Sequence, residues 1–322
     1  MIDRGQFESS AEGGGKLGHS AASVWGTVRS VISEQPIPGA TVNGEHEHDE
    51  IFDHLPLLRI PVLSLRQMNR LLAPDWNDPN SGVIINKHPS QHDVASSPFL
   101  ADCRIMLQAA LDAGGVKATT AGNLNRKLVF SLLDQLSWPV GEWETRVTMF
   151  PVRNEEDAIL LHLVRDIVEI AGLMLRRKGY FRVTKMGERL LAEERAGELF
   201  ALLLGTFFRK FNLAYLDGYD TDIFQATVGF SLWGLSQVDR EWYSVEELWP
   251  LLVHPAARSY TGWSGVDAES QPVLESRLLR PLVLSGLLDR RTIARKSDTP
   301  GVEWYRKTEL FDAVFSFDPG PP

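Results

Sequence analysis

The segment from residue 171 to residue 191 constrains the fold of this chain more than any other, because it combines the end of one helix, a hairpin and the start of the next helix. From Asp157 to Ile170, apolar residues recur every three or four positions, which predicts an amphipathic helix. Gly172 follows it, and a residue without a Cβ suits the left-handed position just past a helix end. We therefore expect the helix to stop at this point.

The residues after Gly172 predict a hairpin. Residues 173–175 and 180–183 are short runs that favour β-strands, and residues 176–179 between them, Arg-Arg-Lys-Gly, are typical of a polar turn. Thr184 is a good N-cap for a helix that opens at the next residue. The sequence thus predicts helix, strand, turn, strand and helix in immediate succession.

The same order of signals returns near the C-terminus. Residues 284–291 repeat the pattern of a small residue, glycine, leucine and paired arginines, and residues 303–308 supply a returning strand that ends in threonine. A partial third copy, residues 111–130, has room for a helix, one short strand and a further helix, but not for a hairpin. Internal repetition of this kind predicts two related units in one chain.

Residues Val183 to Leu191 carry a family resemblance, because their Val-Thr-x-x-Gly-x-x-Leu-Leu pattern resembles the strand that follows the wing in the winged helix-turn-helix superfamily. Together with residues 122–127 and 207–212, the pattern also resembles a group of uncharacterised bacterial proteins with paired winged helices, over roughly residues 99–317. The resemblance implies a mostly α protein with small β-hairpin wings (α+β). It implies DNA binding, regulation or protein interaction rather than a particular reaction.

Changes in composition predict the domain organisation. We expect a disordered acidic tail at residues 1–50, an irregular segment at 51–98, a central winged-helix domain at 99–196, a helical connector at 197–240, a second winged-helix domain at 241–317, and a terminal tail at 318–322. Within the connector, residues 197–219 and 222–238 are predicted to form two long apolar helices.

Composition favours a cytoplasmic protein. The chain has one cysteine, Cys103, which excludes an internal disulfide framework and favours a reducing compartment. No apolar run reaches the roughly 18 residues of a membrane span, and the N-terminus lacks the pattern of a signal peptide. We therefore expect no membrane partner.

Charge is distributed unevenly along the chain. The whole sequence has 33 basic and 42 acidic residues, a net charge of −9, which argues against general attraction to phosphate. Residues 173–189, in contrast, hold a single acidic residue among six basic ones. These six are the candidate nucleic-acid-binding residues: Arg176, Arg177, Lys178, Arg182, Lys185 and Arg189.

Two other interpretations of this basic hairpin stay open. Lysine and arginine also protect exposed strand edges, so the charges could simply be solvated, or the hairpin could contact a protein partner. Glu155, Glu156 and Asp157 are expected in the first turn of the preceding helix, where they would repel phosphate if that helix entered a major groove. They weaken the nucleic-acid interpretation.

The sequence predicts no cofactor, no metal site and no catalytic group. His46, His48, Asp49 and His54 could bind a metal, but they lie in a segment expected to be a disordered acidic tail, which offers no scaffold to fix their geometry. The glycines at 13–15 lack the spacing of a phosphate-binding loop. The sequence therefore predicts a non-enzymatic binding protein, DNA-binding or regulatory through its basic wing. The alternative is a protein-interaction scaffold, and a metal-dependent or hydrolytic enzyme is a distant third.

Overall fold

Two small three-stranded sheets, each packed with helices, organise the protein. The structure, a computed structural model, describes residues 63–137, 152–219, 222–262, 265–266, 270–293 and 301–321, which belong to one compact unit. The expected disordered tail and the histidines near residue 50 lie outside these residues.

The described elements alternate between helices and short strands. In chain order they are α1 (Leu65–Leu71), β1 (Val83–Ile85), α2 (Gln91–Val94), α3 (Pro98–Asp112), β2 (Val116–Lys117), α4 (Arg126–Leu133), α5 (Ile159–Ile170), β3 (Met174–Arg177), β4 (Tyr180–Val183), α6 (Lys185–Leu190), α7 (Ala196–Arg209), α8 (Ile223–Ser236), β5 (Tyr243–Ser244), α9 (Val245–Leu252), α10 (Pro255–Thr261), α11 (Ser270–Leu274), a π-helical turn (Glu275–Leu279), α12 (Arg280–Leu284), β6 (Leu288–Ile293), β7 (Val302–Lys307), α13 (Glu309–Val314) and β8 (Phe315–Phe317), with short 3₁₀ helices at Glu193–Arg195 and Leu213–Leu216. This confirms the expected α+β class with small antiparallel hairpins.

The first sheet has the strand order β2-β4-β3, with antiparallel neighbours. Gly172, at φ 73°, ends α5 as expected. The Thr184 Oγ1 accepts a hydrogen bond from the Gly187 N–H (3.1 Å) and donates one to the Gly172 carbonyl (2.9 Å). The threonine cap therefore joins the start of α6 to the end of α5 across the sheet.

The hairpin turn is shorter than the sequence suggested. It consists of Lys178 and Gly179, both with positive φ (51° and 75°), which matches the two-residue turn whose twist suits adjacent antiparallel strands. The expected four-residue turn at 176–179 is wrong, because Arg176 and Arg177 belong to β3 and pair with Phe181 and Tyr180.

The second sheet repeats this design with the order β5-β7-β6. Gly286 ends α12 at φ 79°, and the Thr308 Oγ1 donates to its carbonyl (2.8 Å), as Thr184 does to Gly172. Both copies bury the strand residue that precedes the threonine by three positions, Phe181 and Tyr305. The repeat seen in the sequence is thus a repeat in register and in core packing.

The region expected as a helical connector holds two helices, but the first is shorter than predicted. α7 ends at Arg209 rather than near residue 219, because the Asn212 side chain accepts a hydrogen bond from the Ala214 N–H (3.0 Å) and starts a separate 3₁₀ turn. α8 agrees more closely with the prediction, and it is buried around nearly its whole circumference. No helix in the described part of the chain is long and apolar enough to cross a membrane.

The segment expected to be irregular, residues 51–98, contributes a strand and helices. β1 pairs antiparallel with β8, so that Val83 faces Phe317 and Ile85 faces Phe315. The expected C-terminal tail also packs: the Gln67 side chain donates to the Gly320 carbonyl (2.8 Å), and Arg70 pairs with Asp318 (3.2 Å). The sequence did not reveal these contacts, because they join positions more than 200 residues apart and local patterns carry no signal for them.

Candidate functional site

The six predicted basic residues are all exposed, but they do not form one surface. Successive residues of a strand point to opposite faces of the sheet. Arg177 and Arg182 therefore lie on the face opposite the buried Phe181, whereas Arg176 pairs with Phe181 and lies on the inner face. Lys178 stands in the turn.

Lys185 and Arg189 lie on α6 rather than on the sheet. The structure thus distributes the six candidates over two sheet faces, a turn and a helix.

The outward side of the sheet combines cations with exposed apolar groups. We call Lys117, Leu175, Arg177, Tyr180 and Arg182 the first outer face. Leu175 is 43% exposed and Tyr180 38% exposed, although large apolar side chains are usually buried. The face has three positive charges and no acidic residue. Sequence reasoning missed Lys117, Leu175 and Tyr180, because only the strand register places them beside the arginines.

The arginines of this face differ in how firmly they are held. The Arg182 guanidinium donates to the Gly114 carbonyl (2.8 Å) and lies 5.4 Å from the centre of the Tyr180 ring. The Arg177 side chain has no hydrogen bond or ion pair with any residue that the structure describes. One guanidinium is therefore fixed and the other is available to a ligand.

Arg176 serves the fold on the inner side. Its guanidinium donates to the Gly122 carbonyl (3.2 Å), so it holds the loop between β2 and α4 against the hairpin. It borders a polar groove of about 470 Å³ that also includes Asn123, Arg165 and Glu169. Its position gives it a structural role in addition to any contact with a partner.

The helix that precedes the hairpin, α5, is not free to enter a groove of DNA. Only Ile170 on this helix is exposed; most of its other residues are buried. Leu160 and Leu163 line a small apolar cavity together with Pro281 and Leu284 of α12. This packing against the second repeat leaves little of the α5 surface available to read base edges.

The acidic residues before α5 are not where the sequence placed them. The helix begins at Ile159, with no acidic residue in its first turn, so the expectation for Glu155, Glu156 and Asp157 is wrong. Glu155 is fully buried, and Asp157 accepts hydrogen bonds from the Arg153 and Asn154 N–H groups. A long-range network, rather than the helix dipole, determines the position of Glu155.

Glu155 is the centre of that network. Its carboxylate accepts hydrogen bonds from the Leu124 N–H and from the Arg165 Nε, and it lies 3.0 Å from the His162 Nδ1. Burial would raise the pKa of Glu155, but the bonds from His162 and Arg165 outweigh it and hold the pKa below its ordinary value. The charged carboxylate thereby ties the β2–α4 loop to α5.

The network offers no clear chemistry for a reaction. The His162 Nε2 lies 3.1 Å from the Tyr215 hydroxyl, but burial and nearby carboxylates raise the pKa of that tyrosine, which disfavours its reactive anion. Within the described ranges, no group of three or more His, Cys, Asp and Glu side chains could hold a metal ion.

Residues 95–197, which include the whole first sheet and the Glu155 network, match the family model of the Y4jL N-terminal domain. Over 105 residues, 32% of this chain, the sequence is 30% identical to a Sinorhizobium fredii protein described as "Uncharacterized protein y4jL". The aligned part covers 48% of that protein, so the chain spans about half the length of this relative. No solved structure matches the chain. The family match covers the first outer face and does not extend to the second sheet.

Proposed function

We propose that this chain is a non-enzymatic binding protein with two winged-helix domains, and that its first outer face contacts the phosphates of a nucleic acid. In each unit a hairpin returns to pair with an earlier short strand, and helices lie between that strand and the hairpin. This is the order expected of a winged helix. The resemblance found in residues 183–191 supports the same assignment.

The observation that carries the nucleic-acid proposal is the presence of three cations without an acidic neighbour on an exposed sheet face. In a protein of net charge −9, such a face attracts phosphate locally. Because α5 is buried, the contacts would go to the sugar-phosphate backbone, which carries little sequence information. The proposal is therefore binding with weak sequence preference and strong dependence on salt.

Salt-dependent binding of labelled DNA and RNA, single- and double-stranded, tests the proposal. The triple variant Lys117→Ala, Arg177→Ala and Arg182→Ala should lower the slope of log affinity against log salt by about three units, roughly one for each lost contact. A matched control, Arg66→Ala, Lys87→Ala and Lys127→Ala, removes three exposed cations from other elements and should preserve the slope. Wild-type protein that binds none of these nucleic acids at low salt would refute the proposal.

A protein partner is the second candidate, and the exposure of Leu175 and Tyr180 favours it. In this case Leu175→Ser should abolish the recovery of a stoichiometric partner from a source extract, and moderate salt should have little effect. Recovery of no such partner would count against it. We place either function in the cytoplasm, where the buried thiol of Cys103 would stay reduced.

A further inference from the structure

The outward side of the second sheet carries an arrangement of indole rings and guanidinium groups. We call Asp289, Arg291, Trp304 and Arg306, together with Trp242, which packs on both arginines, the second outer face. The Arg291 Cζ lies 4.3 Å from the centre of the Trp242 ring and 5.7 Å from that of Trp304. The Arg306 Cζ lies 4.7 Å from the Trp242 ring. The two arginines thus pack on the same indole.

The two arginines differ in their hydrogen-bond partners. Arg306 donates through Nε and Nη2 to Asp289, at 3.1 and 2.6 Å. Arg291 is exposed, and its side chain has no hydrogen bond or ion pair within the part of the chain that the structure describes. Asp289, the acidic residue on the same face two positions earlier in β6, is the partner of Arg306, and Glu303 lies on the opposite face, where it pairs with Arg290 and accepts a hydrogen bond from Thr292. Arg291 is therefore a stacked guanidinium whose donor groups are free.

The strand register places Arg291 at the position that Arg177 holds in the first sheet. Counted from the helix-ending glycines Gly172 and Gly286, Arg177 and Arg291 are both five residues further on. Counted from the threonine caps, Tyr180 corresponds to Trp304 and Arg182 to Arg306. An aromatic ring flanked by two arginines recurs on the outer faces of both sheets.

We propose that Arg291 on the second outer face is a second phosphate-binding residue, and that it contacts the backbone of the same nucleic acid as the first outer face. The ligand class rests on the proposed function; the site itself rests on the stacked, unpaired guanidinium and on its repeated register. Stacking of its planar faces on indole limits the conformations of the side chain while leaving its N–H edge open. Such an edge matches two oxygens of a phosphate.

The indoles are positioning residues in this proposal. Trp304→Ala should weaken binding by releasing the guanidinium without removing its charge, so the salt slope should stay as in the wild type. Arg291→Lys also keeps the charge but loses the planar edge, and it should lower affinity with the slope unchanged. Neither substitution removes a positive charge from the second outer face.

The decisive measurement is the affinity for labelled single- and double-stranded DNA and RNA between low and moderate salt. Arg291→Ala should weaken binding about tenfold at low salt, the loss expected for one charged hydrogen bond. It should also reduce the salt slope by about one unit. The control Arg66→Ala removes an exposed arginine from α1 and should change neither quantity. Circular dichroism of each variant checks that the fold is intact.

The variants separate failure of this inference from failure of the proposed function. If Arg291→Ala behaves as Arg66→Ala does while the first-face triple variant loses binding, the second site is overturned and the proposed function stands. If Arg291→Ala alone weakens binding, the second site is supported and the first face is not the binding surface. An effect of Arg291→Ala that is independent of salt would overturn a phosphate contact, and so would wild-type protein that binds no nucleic acid.

Discussion

The two three-stranded sheets bury corresponding inner residues and differ in part on their outer sides. Phe181 and Met174 in the first sheet are buried, and so are Tyr305 and Leu288 at the corresponding positions of the second. On the outward side Leu175 corresponds to Asp289, so an exposed apolar group in one sheet is replaced by a carboxylate that pairs with an arginine in the other. Core packing limits which residue types can occupy the inner positions, whereas a partner or the solvent determines which types occupy the outer positions.

The supports of the two sheets also differ. Beside the first sheet, the buried charge of Glu155 fixes a loop through Leu124 and Arg165. The second sheet holds its outer arginines by indole contacts and by the partly exposed Asp289–Arg306 pair. A buried charge is costly to leave without its partner, while an exposed pair contributes little. The following predictions use this difference, from the largest expected effect to the smallest.

Glu155→Ala should cost the most, about 3 to 5 kcal/mol of unfolding free energy, because it leaves Arg165 buried with part of its charge uncompensated. Glu156→Ala is the matched control: the side chain of this exposed neighbour accepts a hydrogen bond from Asn123, and its loss should cost less than about 1 kcal/mol. Chemical denaturation measures both. Equal costs for the two variants would contradict a structural role for the buried network.

The same network predicts how stability depends on pH. The pKa of Glu155 in the folded protein lies below its ordinary value of 4.5, so its contribution is complete above that value and is lost as the pH falls through the lowered pKa. The wild type should therefore lose more stability than Glu155→Ala between pH 6 and strongly acidic pH. Parallel profiles of unfolding free energy against pH for the two proteins would argue against a stabilising charge on Glu155.

Gly172→Ala and Gly286→Ala test whether the two helix ends are equivalent. Both glycines have φ between 70° and 80°, so each substitution should cost about 1 to 2 kcal/mol. The Gly286 variant should cost slightly more, because the added methyl would lie 3.4 Å from the Ser97 Cα, whereas at Gly172 it would meet only the end of Met186. Thermal unfolding gives both values. A clearly larger loss at Gly172 would contradict the packing.

The threonine caps should differ by a smaller amount. Thr184→Ala removes both a bond from the Gly187 N–H and a bond to Gly172, at about 1 to 2 kcal/mol. Thr308 has no side-chain cap bond and loses only its bond to Gly286, so Thr308→Ala should cost about 0.5 to 1 kcal/mol. Thr→Ser variants, which keep the hydroxyl, are the controls. Identical losses would mean that the cap bond at Thr184 contributes nothing measurable.

The helices and strands were predictable from the sequence where a single residue type fixes the local backbone conformation. Gly172, Thr184 and the alternation of strand residues located the first hairpin correctly to within a few residues. The division of the arginines between two faces was not predictable, because a one-residue shift in register moves every side chain to the opposite face. The two-residue turn at Lys178 and Gly179 decides that register.

Long-range partners explain the remaining errors. Glu155 was expected in the first turn of α5, yet it precedes the helix and accepts a hydrogen bond from the Leu124 N–H, 31 residues away. The strand Val83–Ile85 is too short to be recognised without Phe315–Phe317, which pairs with it. No local sequence signal places Lys117 or Trp242 on an outer face. The pairing of β2 with β4 places Lys117 there, and the packing of Arg306 on its ring places Trp242 there.

The smallest effect tests the difference between the outer faces most directly. Asp289→Asn removes the carboxylate that pairs with Arg306 and makes the second outer face more like the first. Stability should change by less than about 1 kcal/mol because both side chains are more than 40% exposed. Affinity for nucleic acid should rise about two- to threefold, since a second guanidinium becomes available. Asp134→Asn, which removes the same charge from an exposed position after α4, is the control. An equal rise in both variants would show that net charge alone controls affinity, and that the pairing of Arg306 with Asp289 has no specific effect on binding.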